Sequence, residues 1–413
     1  MQKKIARLEW QPKMNITACI LAFVLLLAPV VLRAQVISLT LDEAVGIASR
    51  NYPLLKRDRQ FIEQQNALIR SAASRPYTGV FISGDEVDPQ STRGIHSLGI
   101  QQDFNWPGTK GRREEAIRQQ GLLGNARLEL DQLELRQQVA RAYYKVLYIR
   151  SLQELKREQI SLFTELVELA QLRFELGETG KIPVLSAQGK QKEATLAQLQ
   201  VNEDYEIALT IFNNWMYSDT AYEVAGGSLP EPAGYFNWYV NNGHPLLLFQ
   251  QQQANLAKAQ VEVEQNKLLP QVRTAGLLQM VDGDSPFFGY QLGLNIPLGQ
   301  GAIRARIEGA KVQTEICETE LEAAQRQLEN ERRRLISALE KEQMSLDYIR
   351  KEMLPLAKEQ IEASRKAYAQ GAVEYQDYLR NLEQAMEARF RYLQVLERYN
   401  LLKLDLEFLS GRR

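Results

Sequence analysis

The chain is poor in the residues that carry most protein chemistry. Its 413 residues include two cysteines and two histidines, which excludes a disulfide framework and argues against a metal or Cys/His catalytic centre. Net charge is nearly absent as well: 50 basic residues stand against 51 acidic ones, so no nucleic-acid partner is indicated. No Gly-rich loop leads into Lys-Ser or Lys-Thr, so nucleotide hydrolysis is not expected. Beyond residue 34 there is no long apolar run, and any later passage through a membrane would not be made by helices. The residues offer no enzyme site and no cofactor site. What is present, 45% hydrophobic and 24% charged residues, is the composition of a folded protein.

The N-terminus reads as an export signal. Lys3, Lys4, Arg7 and Lys13 precede an uncharged run from Asn15 to Leu32, and Arg33-Ala34-Gln35 follows. The pattern predicts a signal peptide over 1–34, cleaved after Ala34. Ile16-Thr17-Ala18-Cys19 has the composition of a lipoprotein box but opens the apolar run instead of closing it, so lipidation is not expected.

The rest follows one plan, used twice. Thr40 is an N-cap candidate for a helix over 42–71. Strands are expected at about 77–85 and 97–106, then a helix from about 112 to 175 and another from 184 to 215. Leu135, Val139, Ala142, Val146 and Ile149 form a heptad seam on the long helix, continued by Leu162, Leu166, Leu169 and Leu172. Pro76 and Pro270, Gly99 and Gly293, Gly177 and Gly371, and Leu185 and Leu379 are each 194 positions apart. The repeats are 35–226 and 227–413. The second has strands at about 272–281 and 288–298, a long helix from 303 to 370 kinked at Pro355, and a closing helix over 376–409. The fold class is therefore mainly α, internally duplicated, with long coiled-coil helices and four strands.

The strands have two unlike faces. Leu98, Ile100, Phe104 and Trp106 alternate with Ser97, Gly99, Gln101, Asp103 and Asn105, and Leu292, Leu294 and Ile296 alternate with Gln291, Gly293 and Asn295. Only Gln102 falls on the wrong side. In a membrane barrel the large apolar set (Leu98, Ile100, Phe104, Leu292, Leu294, Ile296) meets outer-membrane lipid, and Gln101, Asp103, Gln291 and Asn295 line the bore. In a soluble sandwich the same alternation would bury the apolar set. Two hairpins leave two open edges, which lipid does not tolerate. Closure needs at least about eight strands, hence several chains, and a dimer or a trimer would serve. A periplasmic coiled-coil adaptor or scaffold with a small soluble β domain is the alternative.

The duplicated plan, the two strand pairs ending in Gly/Pro turns, and the hairpins RFELGETGKIPVLSAQ and AYAQGAVEYQDYLRNL resemble the TolC-like outer-membrane efflux proteins over essentially all of 36–410. QQDFNWPGTKGRREEA is similar to the CzcC-like, heavy-metal branch. The resemblance implies a homotrimer whose strands form a twelve-stranded β-barrel and whose helices form an α-barrel tunnel reaching across the periplasm. It implies a passive exit duct, with metal cations among the cargo to consider, that works with a periplasmic adaptor (membrane fusion) protein and an inner-membrane efflux transporter. The tips at 176–183 and 370–375, with Gly177, Glu178, Gly180, Lys181 and Gly371, become the adaptor contact. Asp377, with Glu374, becomes the periplasmic gate candidate, and Arg380 stands where some members carry a second acid. In the first half Pro183 replaces the corresponding acid. His96 and His244 are expected to be isolated or packed, and Cys317 packed in its helix.

Overall fold

The computed structural model describes residues 37–411 apart from 92, 233–242 and 285. The expected signal segment and part of the aromatic-rich stretch before residue 243 lie outside the described residues. Ser38–Arg413 form one unit.

Strand β1 (Ile37–Leu39) leads into helix α1 (Leu41–Asn51). Thr40 caps α1 in a capping box: its hydroxyl accepts from the Glu43 N–H, and the Glu43 carboxylate accepts from the Thr40 N–H at 2.8 Å. The single helix expected over 42–71 is instead broken at Tyr52, whose backbone is extended. A residue before proline is pushed out of the α region, and Pro53 then opens helix α2 (Pro53–Leu68), which ends in a 3₁₀ turn reaching Ala73.

Strands β2 (Gly79–Asp85) and β3 (Ile95–Phe104) form the first hairpin. β2 starts two residues later than expected and β3 ends two earlier. Trp106 belongs to the turn, where its carbonyl accepts from the Thr109 hydroxyl at 2.7 Å. Helix α3 (Thr109–Glu175) then runs unbroken for 67 residues, about 100 Å at the usual rise. Gly121 and Gly124 do not interrupt it. A Cβ on Gly124 would lie 2.9 Å from Phe61 Cδ1, so this glycine lets α2 sit close.

Helix α4 (Ile182–Asn214) returns along α3, and β4 (Tyr222–Val224) pairs with β1. Helix α5 (Pro245–Gln265) is capped by His244, and strands β5 (Gln271–Val281) and β6 (Phe287–Asn295) make the second hairpin. Because β6 stops at Asn295, Ile296 and Leu298 lie beyond the strand expected to reach 298. Helix α6 (Gly301–Tyr348) passes through a π turn (Ile349–Met353) into α7 (Leu354–Ala369), and α8 (Tyr375–Leu409) closes the fold. Pro355 has no N–H for the carbonyl four residues back and its ring crowds that turn; the wider π turn is the local answer to the expected kink.

Core packing follows the seam. Leu135, Val139, Ala142, Val146 and Ile149 are buried together with Phe212 of α4 and Leu396 and Tyr399 of α8. Leu166 continues the buried face, but Leu172 is exposed. A spacing of three and then four from Leu166 leads through Leu169 to Arg173, and Arg173 takes the buried position.

Candidate functional site

The two hairpins join into one antiparallel sheet of order β2-β3-β5-β6. Register fixes its faces. Ile82, Leu98, Leu278 and Phe288 lie across one row, and Val80, Ile100, Gly276 and Tyr290 across the next. Leu98, Ile100, Phe104, Leu292, Leu294 and Ile296 are all exposed, with Ile82 at 82% and Phe288 at 91%. An apolar sheet face this bare needs something other than water to cover it. Gln102, the misfit on this face, sits at its lower end. Its side-chain amide donates to the Pro76 carbonyl at 2.9 Å, and its oxygen accepts from the Thr78 hydroxyl at 2.6 Å. A glutamine whose amide is satisfied locally is tolerated beside apolar neighbours.

The opposite face carries the predicted bore residues. Gln101, Ala275 and Gln291 share a row, Asn295 lies opposite Gln271, and Asp103 lies opposite Arg273. Arg273 grips Asp103 with Nε at 2.8 Å and Nη2 at 3.2 Å. This pairing was not foreseen, because it depends on β3 lying beside β5. Higher on the same face Phe81 covers Gly99, where an added Cβ would come within 2.4 Å of the ring. Leu277 covers Gly289 in the same way, at 2.5 Å. Each large side chain is laid against the wall by a glycine across the ladder.

At the far end, both helical hairpins turn by the same device. Gly177 (φ 74°) and Gly371 (φ 71°) are left-handed. The Gly177 N–H donates to the Phe174 carbonyl and the Glu178 N–H to that of Arg173; Gly371 and Ala372 repeat this onto Tyr368 and Ala367. These are paired Schellman caps, so each glycine has a backbone reason to be there. Gly180 has no such constraint and lies with Lys181 on the exposed surface.

Arg173 joins the two tips. It is buried, with Nε 3.0 Å from the Glu178 carboxylate and Nη1 3.4 Å from the Val373 carbonyl oxygen of the other hairpin. Its guanidinium carbon lies 4.9 Å from the centre of the Tyr368 ring, which stacks on Tyr378 at 5.2 Å. Burial pushes the Tyr375 and Tyr378 hydroxyls up to about 12, so both stay neutral. Arg173 and Tyr368 escaped the sequence reading because they look like ordinary helix residues; their position just ahead of each tip glycine was the available signal. The gate candidates are at the same end: Glu374 is the exposed N-cap of α8, and Asp377 forms an ion pair with Arg380 one turn on.

A family model described as outer membrane efflux protein matches residues 84–211 and 241–412. The chain belongs to this family. It is an outer-membrane efflux channel, the exit duct of a tripartite pump. Solved structures agree on the fold. The outer membrane protein VceC of Vibrio cholerae superposes with a TM-score of 0.75 at 16% identity, covering 90% of this chain and 96% of that one. The CmeC outer membrane channel of Campylobacter jejuni gives 0.74 at 15% identity, covering 90% and 85%. The open state of the MtrE outer membrane channel of Neisseria gonorrhoeae gives 0.66 at 15%, covering 90% and 88%. No curated protein sequence matches the chain.

The family is one of channels, not enzymes, and its members work with adaptors and inner-membrane transporters. The isolated residues are placed as expected for such a protein. His244 is fully buried, accepts from the Leu246 N–H at 3.1 Å and meets the Phe408 carbonyl at 3.1 Å. Burial lowers its pKa. His96 is exposed and Cys317 is buried. No helix among the described residues is long and apolar enough to cross a membrane.

Proposed function

We propose that three copies close into one duct, with a twelve-stranded barrel in the outer membrane and a helical tunnel below it. The observation that carries this is the sheet itself: four strands, an apolar exposed face, and β2 and β6 both unpaired at their outer edges. Three copies give an even-numbered barrel of twelve. The helical layer has open edges too. On α4, Ile182, Leu185, Leu196, Leu199, Ile207 and Ile211 are exposed, and on the α6–α7 edge Met344, Tyr348 and Leu356 are exposed. One edge suits the other on a neighbouring copy. Nothing observed favours the periplasmic adaptor or scaffold reading.

Residues 1–34 serve as an export signal removed on the way to the outer membrane. The tips then lie in the periplasm, with Gly180, Lys181 and Glu178 as the surface an adaptor meets, while Gly177 and Gly371 make the turns. Gln101, Asp103, Gln291 and Asn295 line the bore. Asp377, Glu374 and Arg380 ring its periplasmic mouth. Metal cations are the cargo to test first.

Membrane fractionation followed by an unheated denaturing gel tests the assembly. A trimer-sized band from the outer membrane is expected, and a monomer in the soluble fraction would overturn it. A Lys181→Glu channel should co-purify poorly with its pump; unchanged recovery removes the docking role. Deleting the gene should raise sensitivity to metals within a panel of metals and drugs, and an effect on drugs alone would redirect the cargo.

A further inference from the structure

The sheet face given to the bore changes character along its length. Its lower rows are polar: Gln271 and Asn295, then Asp103 beside Arg273, then Gln101 and Gln291. The next row is Phe81, Gly99, Leu277 and Gly289, and Phe287 follows in the row above. Ile95 and Val281 close the series beside Asp85. A water-filled barrel has a polar interior, so large apolar side chains at one end of this face need a reason. We propose that they form a collar in the bore that binds aromatic organic cations on their way out. The collar rests on the trimeric barrel proposed above, and it extends the cargo from metal ions to organic ones.

Three features lead there. First, the two phenylalanines stand on the two edge strands, Phe81 on β2 and Phe287 on β6. Closing the barrel puts them on adjacent strands at every seam between copies, so the site is incomplete in a single chain. Second, the rings are open to the bore. A Cβ on Gly99 would meet three carbons of the Phe81 ring at 2.4 to 3.0 Å, so one face of this ring lies on the wall and the other is turned inward. Phe287 is 55% exposed. The face of an aromatic ring attracts a cation, and above all an organic one. Third, the unpaired charge at this end is negative. Arg273 neutralises Asp103 lower down, but Asp85 has no ion pair among the described residues. Glu86, Asp88, Asp282 and Asp284 lie in the two loops beyond it, with Arg93 their one basic residue. A small metal ion keeps its water and gains little from the rings. An organic cation with aromatic groups can meet the rings and the carboxylates together.

The test uses the full-length channel in planar lipid bilayers, where single-channel current is read as a probe is added on the loop side. The probes are dibenzyldimethylammonium, diphenyl phosphate with two rings and the opposite charge, and tetramethylammonium with no ring. Dibenzyldimethylammonium should lower the current at a concentration at least ~5-fold below that needed of either other probe, the factor expected from two weak ring contacts. Phe81→Ser/Phe287→Ser should abolish this difference, and Asp85→Asn should reduce it. His96→Gln, on the opposite face of the sheet, should leave it unchanged. An equal effect of diphenyl phosphate overturns the preference for cations, and an equal effect of tetramethylammonium overturns the role of the rings. An unaltered response in the double variant overturns the collar itself. Should the double variant fail to assemble, Phe287→Ser, at an exposed position, decides alone. Absence of any channel current from the parent protein would count against the barrel and not against the collar.

Discussion

Asp58 on α2 and Asp131 on α3 are buried side by side and share Arg57, whose Nη2 lies 2.6 Å from an Asp58 oxygen and 3.3 Å from an Asp131 oxygen. Arg127 adds a contact to Asp131 at 2.8 Å. Burial, and then the hydrogen bond with Asp58, push Asp131 up to about 6 despite the arginines. Asp131 therefore takes up a proton below about pH 6. The folded chain then binds this proton more tightly than the unfolded chain does, so stability is fully present below the ordinary carboxylate range and falls as pH rises toward 6. Above that the penalty is constant. Thermal unfolding of the channel should show a loss between about pH 4 and pH 6, on the order of 2 kcal/mol per protomer. Asp131→Asn should flatten this profile. A variant with the same pH dependence as the parent would show that the proton sits elsewhere.

The buried pair was not legible in the sequence, since neither aspartate breaks the pattern of its helix and the two meet only because α2 packs on α3. The seam from Leu135 to Ile149 was legible, because a heptad states which face is buried without naming the partner. The same holds for the strands. Alternation gave the faces of β3 and β6, but Asp103 could not be matched to Arg273 before the order β2-β3-β5-β6 was known. Pro53 illustrates the converse: a residue before proline leaves the α region, so Tyr52 marks a break in the helix expected over 42–71 that the local sequence itself signals.

Phe81 and Gly99 make a second test. A Cβ at Gly99 would lie 2.4 Å from the ring, and the ring can yield by swinging off the wall. Gly99→Ala should therefore leave the sheet intact, since the roughly 0.5–1 kcal/mol that alanine gains over glycine in a strand offsets much of the cost of moving the ring. It should lower single-channel conductance, because three displaced rings enter the bore. Gly99→Ala/Phe81→Ala should restore it. Unchanged conductance in the single variant would place this face away from the water path.

Arg173 ties the tips together, so removing it should loosen both. Arg173→Met keeps much of the packing over Tyr368 but leaves the Val373 carbonyl and the Glu178 carboxylate without their partner. Glu178, about half open to water, is solvated once its partner is gone, so the loss is that of the hydrogen bonds, about 2 kcal/mol. The expected readout is faster protease cleavage at 176–183 and 370–375, with the barrel and trimer unaffected. Cleavage at the parental rate would mean that the Schellman caps hold the tips unaided.

The exposed stripe of α4 is the interface to challenge. Ile207 and Ile211 flank a cavity of about 310 Å³ between α3 and α4 that also presents Tyr148 and Ile149. Ile207→Glu should place three charges in the contacts between copies. Each loses about 2 kcal/mol of apolar burial besides the cost of desolvating the carboxylate. The trimer band on an unheated gel should weaken or vanish, whereas Gln188→Glu, at an already polar position, should leave it in place. A full-strength trimer with Ile207→Glu would move the interface off this face.

In the proposed assembly, Asp377 and Arg380 would set the charge of the mouth. They pair one turn apart near the start of α8, and both side chains remain about half or more open to water, 49% and 66%. An exposed pair of this kind is worth about 1 kcal/mol or less, too little to remove either charge from the field felt by an ion. Three protomers would then carry a ring of balanced charge, and each substitution unmasks the other partner. Arg380→Gln leaves the carboxylates and should raise the preference for cations. Asp377→Asn leaves the guanidinium groups and should shift the preference toward anions. Reversal potentials in a salt gradient measure both, and the shifts should have opposite signs and shrink at high ionic strength as screening shortens the reach of each charge. Two variants with the parental reversal potential would show that ions do not pass close to these residues, and the mouth would have to be narrowed by other side chains.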